Sequence, residues 1–273
     1  MHIRDILASV ESGIASQNER AYFLIHEARY KRILEEINSI RQKTDAGGGG
    51  IFSQDDKRTA GPRKNTHSAG VFRILDVGCY PYHLGAALEK MRCDVRGIAS
   101  SHEPIANKKV SILNIETDAF PYKCNTFDLV LCSEVIEHLP QSPVPALREM
   151  YRVTKKGGHV VITTPNINRS INQGKMLLGR SPMYDVDAFL ENGGKGSNLY
   201  HRHNREFTLA ELTRLVSHAG WSVREATHFI SYSPFRRRNR TDHPLVWTGK
   251  FANFLAMSAI PRLRDTLLVT GLK

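Results

Sequence analysis

Apolar positions recur at roughly helical spacing near the start of the chain, at Ile6, Val10 and Ile14, then Phe23, Ile25, Ile33, Leu34, Ile37 and Ile40. This spacing predicts helix over residues 3–42, set apart as an N-terminal helical extension of residues 1–43. Residues 44–70 are Gly-rich and polar, carry no periodicity and read as a linker. From Val71 the pattern changes. Short apolar runs, "VFRILDVG", "CDVRGIAS", "VSILNIE", "FDLVLCS" and "HVVITTP", alternate with helical stretches such as "HLGAALEKM" and "PALREMYRVT". The second of these helices is expected to stop at "KKGG". "FDLVLCS" is nearly all apolar, as a strand buried on both faces must be. Alternating strands and helices argue for a doubly wound, mostly parallel α/β sheet. "TLAELTRLVSHAG" carries a capping box, Thr208 with Glu211, and Gly220 as its stop. "SVREATHFIS" and "TLLVTGL" supply the last two strands.

Composition adds one unusual feature to this picture. The chain has 273 residues, 41% apolar and 24% charged, which is ordinary for a globular protein. Its formal net charge of +11 is not ordinary, and suggests an anionic partner or substrate. Most basic residues are scattered; the exception is "RRRNR" at 236–240. The cysteines, Cys79, Cys93, Cys124 and Cys132, show no CxxC pairing and read as buried thiols of a reducing, cytoplasmic protein. "MHIRDILASVESG" has no continuous apolar core, so no signal peptide is expected. "FANFLAMSAIP" is too short to span a bilayer. A helix there would instead place Phe251, Phe254, Leu255 and Ala259 on one face beside the basic cluster, a surface suited to peripheral contact with the inner membrane face.

The first strand runs into "DVGCYPYHLG". In open α/β sheets ligands bind beyond the carboxyl ends of the strands, where strand order reverses, which places Asp76, Gly78 and Cys79 at a binding loop. "RILDVGC", "FDLVLCSEVIEHLP", "LREMYRVTKKGGHVVITTPN" and "RHNREFT" occur in that order. Together they resemble a class I S-adenosylmethionine-dependent methyltransferase, nearest to the group of ubiquinone-pathway and glycan O-methyltransferases. The resemblance spans about residues 71–231 and implies a seven-stranded sheet whose last strand is antiparallel. Residues 71–273 would then form the catalytic domain, with 166–207 inserted as a basic substrate lid carrying Arg169, Lys175, Arg180, Arg202 and Arg205. The implied cofactor is S-adenosylmethionine, held by Asp76, Gly78, Cys79, Tyr80, Ala99, Ser100, Asn114, Ile115, Glu116, Ser133 and Glu134.

Two departures from that family stand out. Tyr80 and Tyr82 replace its second and third loop glycines, and Pro81 between them implies a different, stiffer loop path. Ala99 stands where an acid often grips the ribose, leaving Ser100, Ser101 or Glu103 as substitutes.

"EVIEH" spaces Glu134, Glu137 and His138 at i, i+3 and i+4, one face if the stretch is helical. With His203 in preference to His201, this set can ligate a divalent cation, and it resembles the metal site of small-RNA 2′-O-methyltransferases. The bland alternatives are a metal-free acid/base role for His138 or a structural one. His138, Glu134 and His203 are the catalytic candidates. Three functions follow: O-methylation of a sugar, lipid-linked or other small anionic hydroxyl acceptor; RNA 2′-O-methylation, less favoured because no RNA-binding module is visible; and a methyltransferase-like scaffold without activity.

Overall fold

The computed structural model describes residues 2–46, 71–100, 105, 107–183, 202–231 and 244–273. Two helices open the chain, α1 (Ile3–Ser12) and α2 (Gln17–Ala46), where the spacing predicted one stretch. They separate at Gly13, whose N–H donates to the Val10 carbonyl while that of Ile14 donates to Glu11. The break lets α1 fold against α2 and bury Ile6, Leu7 and Val10. α2 also runs past the predicted boundary, to Ala46. Most of the linker, 47–70, lies outside the described residues.

The α/β part follows as β1 (Arg73–Val77), α3 (His83–Lys90), β2 (Asp94–Ala99), β3 (Val110–Ile112), β4 (Phe127–Ser133), α4 (Val144–Val153) and β5 (Thr154–Pro165). Then come α5 (Ser170–Leu177), α6 (Leu209–His218), β6 (Ser222–Phe229), α7 (Pro244–Ala259) and β7 (Thr266–Leu272). The "KKGG" stretch does not stop α4. It belongs to β5, which starts directly at Thr154 and takes Gly157 through a positive φ of 75°.

The seven strands form one sheet in the order β3-β2-β1-β4-β5-β7-β6. All pairs are parallel except those of β7, which is antiparallel to both β5 and β6. Side chains alternate between the faces. From β4, Val130 and Cys132 join one core with Leu147 and Met150 of α4 and Leu212 and Val216 of α6. Leu129 and Leu131 join the other, with Leu84 and Leu88 of α3 and Phe23, Ile33, Leu34 and Ile37 of α2. The N-terminal helical extension therefore packs as part of the second helical layer. Ile25 departs from the predicted stripe and is exposed.

The sheet reverses direction between β1 and β4, and this opens a crevice at their carboxyl ends. Of the four cysteines, Cys79, Cys93 and Cys132 are buried, whereas Cys124 is exposed, contrary to expectation.

Candidate active site

A cavity of about 770 Å³ fills that crevice. Asp76, Gly78, Cys79 and Tyr80 line it from β1 and its loop, and Ala99 and Ser100 from the end of β2. Asn114 and Ile115 contribute after β3, and Ser133, Glu134 and His138 after β4. Ser101, Glu103 and His201 lie outside the described residues.

The first loop is shaped by Gly78. Its N–H and that of Cys79 both donate to the Ile98 carbonyl, at 2.8 and 3.1 Å. Its φ is +76°, and a Cβ there would lie 2.2 Å from Cγ2 of Val135. Tyr80 and Pro81, joined by a cis peptide bond, both face the cavity. Tyr82 turns away and stands at the start of α3 with its hydroxyl bonded to Glu89. A Cβ on Gly85 would come 2.3 Å from the Tyr82 ring, so the small residue the loop gave up reappears one helical turn on. The aromatic loop is thus accommodated without closing the cavity. Desolvation alone pushes the buried carboxyl of Asp76 up to about 7.

Glu116 takes no part in the wall. Its Oε1 accepts the backbone N–H groups of Gln141 and Ser142, at 2.9 and 3.2 Å, and so ties down the loop before α4.

The "EVIEH" stretch does not form a helical face. Glu134 adopts a left-handed φ of +55°, and only Ile136–His138 turns as a short 3₁₀ segment. Glu134 consequently points to Arg29 of α2, its Oε2 lying 3.0 Å from Nη1, while Thr163 Oγ1 donates to its Oε1 at 3.1 Å. Arg29 is buried on the cavity wall, and its Nε has no partner. Ser16, Asn18, Glu19, Tyr22 and Tyr30 complete this roof. The sequence reading missed these residues. One signal was present: Arg29 stands four and eight residues before Ile33 and Ile37, so a charge interrupts the apolar stripe of α2.

Behind the wall, Glu137, His138 and His203 bring one potential ligand atom each within 4.8 Å of the others. Glu134 is not in that group. Glu137 is fully buried, and burial together with the charge of Glu134 raises its carboxyl well above the usual range. Its Oε2 accepts from Thr164 Oγ1 at 2.9 Å, but its Oε1 has no partner and lies 3.8 Å from Nε2 of His138. A carbonyl oxygen can only accept, so the 3.1 Å contact between His138 Nδ1 and Arg202 O puts the ring proton on Nδ1. The 2.9 Å contact of His203 Nδ1 with Glu206 Oε1 does the same for His203. In both neutral rings Nε2 is then the basic nitrogen. The rings meet edge to face, with centroids 4.8 Å apart.

The chain after β5 continues into α5, whose start is tied to the loop before α6. Arg169 forms a two-pronged pair with Glu206, at 2.8 and 2.8 Å, and Asn172 donates to the same carboxylate at 3.1 Å. Arg169 is therefore neutralised within the protein instead of awaiting an acidic acceptor. Burial works against the charge on Glu206, but bonds from His203 and Arg169 hold its carboxyl below the usual range.

A methyltransferase-domain family model matches residues 24–226, about three quarters of the chain. The chain belongs to the S-adenosylmethionine-dependent methyltransferases. It is 28% identical over 177 residues to a ubiquinone biosynthesis O-methyltransferase of Acinetobacter baumannii, covering 61% of this chain and 70% of that protein. The corresponding Vibrio cholerae enzyme is 26% identical over 176 residues, covering 60% and 66%. A solved SAM-dependent methyltransferase of Thermotoga maritima is 17% identical, with full coverage of both chains and a TM-score of 0.48. The match begins inside α2.

The residues present suit S-adenosylmethionine. Gly78, Cys79 and Tyr80 bring the loop backbone to the cavity, and Arg29, whose buried Nε has no partner among the described residues, lines the same cavity with a charge that fits the cofactor's carboxylate. The volume lies within the usual range for ligand pockets.

Proposed function

We propose that this methyltransferase acts on a hydroxyl oxygen of a sugar, lipid-linked or other small anionic acceptor, with His138 as the proton acceptor. The observation that carries the reading is the orientation of His138. Its Nδ1 donates to the Arg202 carbonyl while the residue lines the same cavity as the Gly78 loop. The neutral ring then has a basic Nε2 for the hydroxyl proton. Gly78, Asp76 and Arg29 would hold the amino-acid end of the cofactor, Ser100 the ribose, and Asn114 with Ile115 the adenine. When bound, S-adenosylmethionine supplies a methyl group activated by a sulfonium. The work left to the protein is alignment of the acceptor oxygen and removal of its proton. The relatives named as O-methyltransferases and the net charge of +11 support the oxygen acceptor and its anionic character.

A second reading rests on the unpartnered Oε1 of buried Glu137. Glu137, His138 and His203 would hold a divalent cation, each histidine oriented by an acceptor on its other nitrogen, and the cation would lower the acceptor's pKa.

Calorimetry with S-adenosylhomocysteine should give micromolar affinity, about −8 kcal/mol. No binding at millimolar ligand would return the chain to the scaffold reading. His138→Ala should lower methyl transfer by about 10²–10⁴ and leave that affinity unchanged. With a cation, EDTA and His203→Ala should each abolish transfer, and Mn²⁺ or Mg²⁺ should restore the EDTA-treated protein. Without one, EDTA does nothing. Transfer to an RNA ribose and to no small acceptor would overturn the proposed acceptor class.

A further inference from the structure

α5 and the end of α7 expose more apolar surface than any other described part of the chain. Leu177 and Leu178 are 87% and 75% exposed, Ile171 is 56% and Leu255 51% exposed, and Met176 and Ile260 are also open. The two helices pack together and are joined by a hydrogen bond from Ser170 to Asn253, which brings the two sets of exposed side chains onto neighbouring elements. On α5, Ile171, Lys175 and Leu178 follow i, i+4, i+7 and share one side, while Asn172 turns inward to Glu206. The charge pattern is one-sided. Residues 166–183 and 244–264 contain no Asp or Glu, but they carry Arg169, Lys175, Arg180, Lys250, Arg262 and Arg264. Arg169 is used by Glu206, and Arg264 bonds the carbonyls of Met257 and His228. Arg180, two residues beyond Leu178, and Arg262, just beyond α7, are both exposed.

Exposed leucines that share these described segments with cations and no acid suit a surface that is apolar beneath and anionic above. No described helix is long and apolar enough to cross a membrane. We propose that the α5–α7 face docks the protein on an anionic lipid bilayer, with Leu177 and Leu178 entering the headgroup boundary and Lys175, Arg180 and Arg262 meeting lipid phosphates. The basic cluster at 236–240 lies outside the described residues and is not needed for this assignment. The docking rests on the surface alone and is independent of the methyl-acceptor reading. It has a consequence for the active site, because Asn172 and Arg169 of the docking segment hold Glu206, which orients His203 against His138. An acceptor carried in the bilayer would thus be met close to the residues that treat it.

Co-sedimentation of the full chain tests the proposal, using vesicles of phosphatidylcholine alone and of phosphatidylcholine mixed with phosphatidylglycerol. The wild type should sediment with the mixed vesicles at low salt and be released at high salt, where the Debye length shrinks. Leu177→Glu/Leu178→Glu should weaken partitioning at least tenfold with an unchanged circular dichroism spectrum. Lys175→Gln/Arg180→Gln should weaken it by about fivefold per cation. Absence of binding at low salt, equal binding to neutral vesicles, or full binding by the double-glutamate variant would each overturn the proposal. So would a wild type that dimerises through this face and ignores vesicles, with the glutamate variant monomeric; the face would then be an interface between copies.

Discussion

Arg29 and Glu134 come from opposite ends of the cavity wall and meet at 3.0 Å, both largely withdrawn from water. Taking two charges out of water is unfavourable, and removing one partner leaves the other uncompensated. Arg29→Met should therefore cost about 3–5 kcal/mol in urea unfolding. Arg29→Met/Glu134→Gln should recover most of that loss, because no lone charge remains. Additive losses in the double variant would show that the two side chains act separately. Cofactor-product affinity should fall in both variants, since each lacks the cation facing the cavity. Gly78 offers a second, purely steric test. Its φ of +76° disfavours any side chain, and a Cβ would strike Val135 at 2.2 Å. Gly78→Ala should weaken both folding and S-adenosylhomocysteine binding. Adding Val135→Ala removes the struck methyl group and should leave only the backbone strain, about 1–3 kcal/mol. No recovery on adding Val135→Ala would mean the loop fails for another reason.

Helix α5 and the loop before α6 are coupled through a single carboxylate. Glu206 receives Arg169, Asn172 and His203, and it lies outside the cavity wall. If Glu137, His138 and His203 hold a cation, Glu206→Gln should slow methyl transfer by about 10–100-fold, the usual consequence of releasing a group that orients a metal-ligating histidine. S-adenosylhomocysteine affinity, read by calorimetry, should stay unchanged; a parallel loss of affinity would place Glu206 in cofactor binding instead. This junction was partly legible in the sequence, which named His203 but gave no reason to pair it with Arg169. Strands such as β4 were legible because burial on both faces writes a continuous apolar run. The antiparallel β7 came only from the family resemblance, since periodicity is the same in either direction. The Glu134 position was misread because nothing in "SEVIEH" announces a left-handed φ at a non-glycine residue, so a helical face was drawn through a kink. The fold-back of α1 and the roof role of α2 escaped notice because amphipathic spacing identifies a helix but not what its polar interruptions face.

Buried and half-buried histidines set the response of the folded protein to acid. His26, His83, His159 and His228 lie on α2, α3, β5 and β6, and desolvation is the leading cause that lowers each of them. His26 falls to about 3. The unfolded chain takes up protons on these imidazoles as the pH drops through the ordinary histidine value near 6.5, while the folded chain resists. The unfolded state then binds more protons, so stability decreases on acidification from about pH 6.5 down toward the lowered values. Asp76 acts in the opposite sense. Its folded value of about 7 lies above the 3.8 of the free carboxyl, so between these limits the folded state holds the extra proton and gains stability as pH falls. Glu137 and Asp265, whose carboxyls burial also raises, act in the same sense as Asp76, so four histidines stand against three carboxyls, and repulsion in a chain already at +11 tips the balance to a net loss. Thermal unfolding should accordingly show a falling midpoint from pH 7 to pH 5. His26→Gln cannot gain a proton and should shallow that slope. Asp76→Asn removes one opposing group and should steepen it. An unchanged slope in His26→Gln would remove α2 from the acid response. A shallower slope in Asp76→Asn would mean that the carboxyl at the cavity wall is ionised in the folded protein, balanced by a charge that desolvation alone does not describe.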